Sequence, residues 1–339
     1  MTDIYGTLGP SCASVETLTQ MFGAGMTGIR INLSHAGLRA SGDRISMIHE
    51  AARRACVRPK ILMDMQGPEL RIGVMAQPVE MTEGERVTFG KEGTGLIPLP
   101  SIVLEALTPG REVLLDDGRI LAVIVSGDGS RAEAEVLRGG LLQSRKSIAV
   151  HGAGICPPTM TEADLSNIRD AAEFGITGIM QPFVRSRQDL IEVRQALQEN
   201  GAARLELVAK IENRQGLGRL PELLKEADSV CIARGDLGND MDLWKLPAAQ
   251  KEISRQCLEA GIPFMVATQM LFTMTSSAVP TRAEVSDIFN TVADGASGVM
   301  VTGETAVGSY PVDVIRYLAN TAAAGEAFRE GGFDAMGLL

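Results

Sequence analysis

Eight short apolar runs punctuate this chain, and each ends in polar residues. They are DIYGTLG from Asp3, TGIRINLS from Thr27, KILMDMQ from Lys60, ITGIMQPF from Ile176, RLELVAKIE from Arg204, SVCIARGD from Ser229, PFMVATQ from Pro263 and SGVMVTGE from Ser297. Both faces of each run are apolar, as in a strand buried inside a parallel sheet. Segments of helical character separate most of them: VETLTQMFGAG, ADLSNIRDAAEFG, QDLIEVRQALQENG, AAQKEISRQCLEAG and AEVSDIFNTVADG. Each places apolar residues three and four apart and stops at a glycine. Eightfold strand–helix alternation predicts an α/β fold, a (β/α)8 TIM barrel.

One connection breaks the rhythm. Between the third and fourth runs, residues 69–150 show alternating patterns and Gly-rich turns, as in EGERVTFG, PGREVLLDDGRILAVIVSGDG and RAEAEVLRGG. This predicts an all-β, β-barrel-like domain inserted after the third barrel strand, with the barrel built from 1–68 and 151–339. An insert at that position is a natural lid for a barrel mouth. The C-terminal EGGFDAMGLL reads as a frayed end.

Composition narrows the class. With 45% hydrophobic residues among 339, the chain can bury a large core. Thirty-two basic against 42 acidic residues give a net charge of −10, which argues against a nucleic-acid or membrane-surface face. A local Arg/Lys pocket for small anions stays compatible with it. No apolar run approaches the ~20 residues of a membrane span. MTDIYGTLGP lacks the basic and apolar regions of a signal peptide, so a cytoplasmic location is expected. The five cysteines (12, 56, 156, 231 and 257) form no CxxC pair and read as reduced thiols.

Barrel enzymes work at the C-terminal ends of their strands. There the sequence puts Arg30, Asn32, Ser34 and His35 after the second strand, and Asp64, Glu69 and Arg71 after the third. Lys210, Glu212 and Asn213 follow the fifth, Arg234 and Asp236 the sixth, Thr268 and Gln269 the seventh, and Thr302 and Glu304 the eighth. Glu212 and Asp236 are hard oxygen ligands on adjacent strands, suited to magnesium or manganese. Arg30, Arg71 and Lys210 suit a phosphoryl or carboxylate substrate. The competing reading is structural: Lys210 and Glu212, two apart on a strand, form an ion pair, and Arg30, Asn32 and Ser34 stabilise a turn. His49 and His151 read as incidental, Cys231 as core.

TLGP (Thr7–Pro10), RINLSH (Arg30–His35), GPELR (Gly67–Arg71), AKIEN (Ala209–Asn213), ARGDLG (Ala233–Gly238), ATQML (Ala267–Leu271), PTRAEVSD (Pro280–Asp287) and GETAVGSYP (Gly303–Pro311) occur in this order. Together they make the chain resemble pyruvate kinases from Thr7 to about Glu326. The resemblance implies phosphoryl transfer from phosphoenolpyruvate to ADP, giving pyruvate and ATP. It implies Glu212 and Asp236 as ligands of a divalent ion (Mg2+ or Mn2+), Lys210 as the cation on the phosphoryl group and Arg30 as its partner. Gly235, Asp236 and Thr268 would cradle the substrate carboxylate. Asn32, Ser34, Asp64 and the Met65 carbonyl would bind K+, with Glu69 the acidic residue that accompanies potassium dependence. His35, Arg71, Asn32 and Lys146 would meet the nucleotide. It also implies a homo-oligomer, dimer or tetramer, through the barrel. The family's further C-terminal domain, with its sugar-phosphate site, is not in this sequence, so no sugar-phosphate allostery is expected.

Gln66 stands where the family usually has Lys, Met65 where it has Thr, Pro182 where it has Ser, Ala149 where it has Asn and Phe272 where it has Glu. Two other readings therefore stand beside the kinase. One is an enzyme of the same ancestry acting on another enol phosphate, or a metal-dependent 2-oxo acid lyase or aldolase. The other is a non-catalytic metabolite sensor or assembly subunit.

Overall fold

A computed structural model of the chain describes residues 1–332 apart from His35, Asp117, Gly154 and Cys156. All eight apolar runs become strands of one closed parallel barrel: β1 (Asp3–Thr7), β2 (Gly28–Asn32), β3 (Lys60–Asp64), β4 (Gly178–Gln181), β5 (Glu206–Ile211), β6 (Ser229–Ala233), β7 (Phe264–Ala267) and β8 (Gly298–Met300). Each pairs with its neighbours in sequence, and β1 closes the ring on β8. Tyr5, Leu62, Met180, Val208, Cys231, Met265 and Met300 fill the interior. Gly28 is required there, because a Cβ would lie 2.2 Å from the Tyr5 ring.

The helices pack an apolar stripe on the outside of the strands. The main ones are α1 (Val15–Gly23), α2 (Gly42–Ala55), α3 (Glu162–Asp170), α4 (Arg187–Glu199), α5 (Leu246–Ala260), α6 (Arg282–Ala293) and α7 (Pro311–Gly331). Side-chain caps fix several starts: Thr161, Ser186 and Thr281 each accept the N–H of the third helical residue, and that residue answers with its carboxylate. Between β5 and β6 two short turns, Arg214–Gly218 and Leu220–Leu223, replace a long helix.

The insert is a second compact unit, Pro68–Pro158, against Met1–Gly67 with Thr159–Leu339 for the barrel. Its C-terminal limit falls beyond the expected Val150. Backbone hydrogen bonds from His151 to Glu112 and from Ile155 to Ala153 keep that stretch with the insert. It has its own core, including Phe89, Val103, Leu115, Ala134 and Leu142. Its strands form an open six-stranded sheet and a two-stranded ribbon, Val79–Met81 with Gly140–Leu142, which corrects the expectation of a barrel-like insert. Among the described residues the edge strands, Ile97–Pro98 and Ile148–Val150, each have a single neighbour, so the six-stranded sheet stays open. The insert also carries a helical turn, Ser101–Leu104, among its strands.

Glu330 and Gly331 belong to α7, which corrects the expectation of fraying there; residues 333–339 lie outside the described residues. Cys12, Cys231 and Cys257 are buried free thiols and Cys56 is an exposed one. Among the described residues no helix is long and apolar enough to cross a membrane.

Candidate active site

Alternation along a strand sends every second side chain into the barrel. The inward series from Leu62 reaches Asp64, that from Val208 reaches Lys210, and that from Gly28 reaches Arg30. These charges meet at the C-terminal mouth. Asp64 Oδ2 accepts a hydrogen bond from Arg30 Nε at 2.8 Å, and Arg30 Nη2 lies 2.6 Å from the same oxygen. Lys210 Nζ donates to both Asp64 oxygens at 3.1 Å and lies 2.9 Å from Glu212 Oε1. The Arg30 and Lys210 side chains are 14% and 12% exposed, those of Asp64 and Glu212 only 3% and 1%. The ion pair between Lys210 and Glu212 that the sequence offered as a structural alternative is present. It belongs to a larger network centred on Asp64.

Burial disfavours every charge in this group, and the partners decide which way each goes. For Lys210, burial lowers the proton affinity, but Asp64 and then Glu212 more than reverse it, so the ammonium is held. For Asp64, burial raises the pKa, and the cations of Lys210 and Arg30 pull it below the usual carboxylate range. Glu212 goes the other way. Burial pushes it up to about 7; Lys210 opposes this, and the charges of Asp236 and Asp64 add to it.

Glu212 is held by the end of β4. The Phe183 N–H donates to Glu212 Oε2 at 2.7 Å, from a backbone with φ 51°. Pro182 precedes it and packs on Gly67, whose φ is +61° and where a Cβ would sit 2.3 Å from the proline ring. Glu212 Oε1 is buried, and Lys210 Nζ lies 2.9 Å from it. Among the described residues no three His, Cys, Asp or Glu side chains cluster as an all-protein metal site. Glu212 and Asp236, two carboxylates whose charges act on each other, fit a hard divalent ion that keeps other positions for substrate and water.

Across the mouth, Thr268 Oγ1 accepts a hydrogen bond from the Gly235 N–H at 2.7 Å. That N–H is thereby engaged within the protein, which differs from its expected place in the carboxylate cradle. The Thr268 hydroxyl hydrogen is left to donate. Asp236 follows in the same short helix, Arg234–Asn239.

Of the residues expected at a monovalent ion, Asn32 and Asp64 are register partners on β2 and β3. Asn32 Oδ1 accepts from the Ser34 N–H at 3.0 Å, and the buried Met65 donates its N–H to Met180 O at 3.2 Å. The Asp64 carboxylate is occupied by Arg30 and Lys210, an anchoring role the sequence did not suggest. Arg71 and Lys146 lie in the insert. There Arg71 pairs with Glu69 at 2.6 Å and donates to Arg145 O, and Lys146 Nζ lies 2.7 Å from Asp116 Oδ1. Ala149 is exposed on an insert strand, as is Phe272 on the loop after β7. His35, expected at the nucleotide, lies outside the described residues. Thr302 and Glu304 form a turn in which the buried carboxylate accepts the Thr302 N–H at 2.7 Å.

Sequence reasoning missed Asp164. Fully buried, it accepts the N–H groups of Gln66 and Gly67 at 2.8 and 3.0 Å and so anchors the loop leaving β3. The T-x-x-D spacing of Thr161–Asp164 is a capping-box signal that could have found it. Asp287, which binds Arg234, carries no local signal.

Fold and site together define a (β/α)8 barrel with a buried lysine, an arginine and carboxylates gathered at its C-terminal mouth. A family model described as the pyruvate kinase barrel domain matches residues 1–315. A pyruvate kinase of Chlamydia pneumoniae is 36% identical over 323 residues, covering 94% of this chain and 67% of that protein. One from Geobacillus stearothermophilus is 37% identical over 324 residues, covering 93% of this chain and 55% of that protein. The crystal structure of a pyruvate kinase from Cryptosporidium parvum superposes with a TM-score of 0.87 at 31% identity, covering 96% of this chain and 69% of that one. The chain is thus an enzyme of the pyruvate kinase family.

Proposed function

We propose that this chain transfers the phosphoryl group of phosphoenolpyruvate to ADP, releasing pyruvate and ATP. The observation that supports this most is the buried Lys210 ammonium, held charged between Asp64 and Glu212. Phosphoryl transfer needs positioning and neutralisation of charge on the moving group's oxygens more than covalent help. Lys210 and Arg30 supply two such cations at one mouth. The bond between the enol oxygen and phosphorus breaks, a bond from ADP oxygen to phosphorus forms, and the pyruvate enolate left behind takes a proton at its methylene carbon. Thr268 donates its hydroxyl to the substrate carboxylate, alongside the Asp236 N–H, while the Gly235 N–H holds the Thr268 oxygen.

Glu212 and Asp236 would hold a divalent ion, Mg2+ or Mn2+, which when bound supplies charge neutralisation at the substrate oxygens. Asn32, Ser34, Asp64 and the Met65 carbonyl would hold K+. Asn32 and His35 are our candidates for nucleotide contact in the barrel and, separately, Arg71 and Lys146 in the insert. We also propose that the protein assembles through its barrel as a dimer or tetramer and works in the cytoplasm.

A second reading, action on a different enol phosphate or lyase chemistry on a 2-oxo acid, draws on Pro182, which puts a ring and no hydroxyl beside Glu212's anchor. A coupled assay of pyruvate release from phosphoenolpyruvate, with ADP, Mg2+ and K+ each omitted in turn, tests both. Turnover that needs ADP and Mg2+ is expected. Absence of turnover with thermal stabilisation by oxalate and Mg2+ would favour the second reading, and absence of both would refute the two together.

A further inference from the structure

Thr268 is a β-branched residue with φ +76°, followed by Gln269 at +54°. L residues with branched side chains avoid this region, so the surrounding structure must hold it. The holding group is Arg234. Its Nη2 donates to Thr268 O at 2.9 Å and reaches Gln269 O at 3.4 Å. Its Nη1 binds both oxygens of Asp287, on α6, at 2.9 and 2.7 Å, and touches Gln250 Oε1 at 3.5 Å. The guanidinium is 12% exposed. Arg234 also opens the short helix whose next residue, Gly235, donates its N–H to Thr268 Oγ1. One residue thus ties down both ends of Thr268: its side chain fixes the carbonyl, and its main chain leads into the N–H that fixes the hydroxyl.

We infer that Arg234, locked by Asp287, is a positioning residue that keeps Thr268 in this left-handed conformation and so aims its hydroxyl at the substrate. The inference rests on the phosphoryl-transfer reading for what Thr268 touches, but the clamp itself can be measured without turnover. If Asp287 only stapled α6 to the barrel, its loss would change stability and leave Thr268 in place.

The experiment compares Asp287→Ala, Asp287→Asn and Thr268→Ala with the parent chain. In Asp287→Ala, hydrogen exchange at the Gly235 amide should accelerate at least about ten-fold, because its acceptor moves away. Asp287→Asn, which keeps the shape and one acceptor, should recover part of the protection, and it serves if the alanine variant does not fold. In the coupled assay, Asp287→Ala should lower kcat by roughly 10–100-fold, the range expected for a misplacement on the order of 1 Å. In a Thr268→Ala background the same change should cost less than about three-fold, because the group it positions is gone. Unchanged Gly235 exchange in a folded Asp287 variant would overturn the inference, as would an equal kcat loss in both backgrounds. Should the parent chain show no phosphoenolpyruvate turnover, the proposed function fails while the exchange measurement still decides the clamp.

Discussion

Asp64→Asn removes one negative charge from a site holding two buried cations. In the parent chain the carboxylate accepts from Arg30 Nε at 2.8 Å and from Lys210 at 3.1 Å on each oxygen, with Arg30 Nη2 at 2.6 Å. A buried pair can be close to neutral when compared with an apolar replacement of both partners, but removing one partner strands the other and costs about 3–5 kcal/mol. Asparagine keeps one acceptor, and Lys210 keeps Glu212, so the lower part of that range is expected. At ~2–4 °C per kcal/mol for a unit of 150–250 residues, Tm should fall by ~6–12 °C. The assay is thermal and urea unfolding in EDTA, repeated for Lys210→Met and for the double variant. Lys210 and Asp64 share two hydrogen bonds, so the double variant should be at least ~1 kcal/mol less destabilised than the sum of the singles. A loss for Asp64→Asn below about 1 kcal/mol, or additivity within ~0.3 kcal/mol, would refute Asp64 as the centre of the charge network.

Gly67→Ala should destabilise by ~2–5 kcal/mol, combining left-handed strain with a Cβ 2.3 Å from Pro182 Cγ; urea unfolding reads it, and Pro182→Ser should restore part of the loss. Asp189 is pushed up by burial and pulled below its ordinary value by hydrogen bonds and charge from Arg185. A depressed carboxylate stabilises the fold above its unfolded pKa, near pH 4, and loses that contribution as pH falls through the folded value. Asp189→Asn should therefore lower Tm at pH 7 and flatten its decline below pH 4; parallel Tm–pH curves would contradict this. Replacing Pro68–Pro158 with a short Gly-Ser linker should leave a barrel that still melts cooperatively, since the two units have separate apolar cores. Turnover by that variant should fall by ~10² or more; loss of the cooperative melt would show the units to be one folding unit.

Much of the architecture was legible along the chain. A buried parallel strand must be apolar on both faces and its flanking helix on one, so periodicity alone exposes eight units and the interruption after β3. Strand ends must carry the polar residues, so Lys210, Glu212, Asp236 and Thr268 could be named from position. What periodicity cannot carry is pairing between distant segments. Lys210 and Glu212 stand two apart at the end of one strand and could be seen together, but Asp64 meets Lys210 from 146 positions away. Only closure of the barrel brings those strands round one mouth. The same holds for Asp164 under Gly67 and for Asp287 on Arg234, where a helix reaches back to a loop. The sequence by itself determined the elements and the stock of charged groups at their ends, because local patterning and chain alternation are short-range. Tertiary structure alone decided which charges cancel, that Glu212 is buried against Lys210, and that Thr268 is bent against its own preference, because burial and distance exist only once the ring has closed.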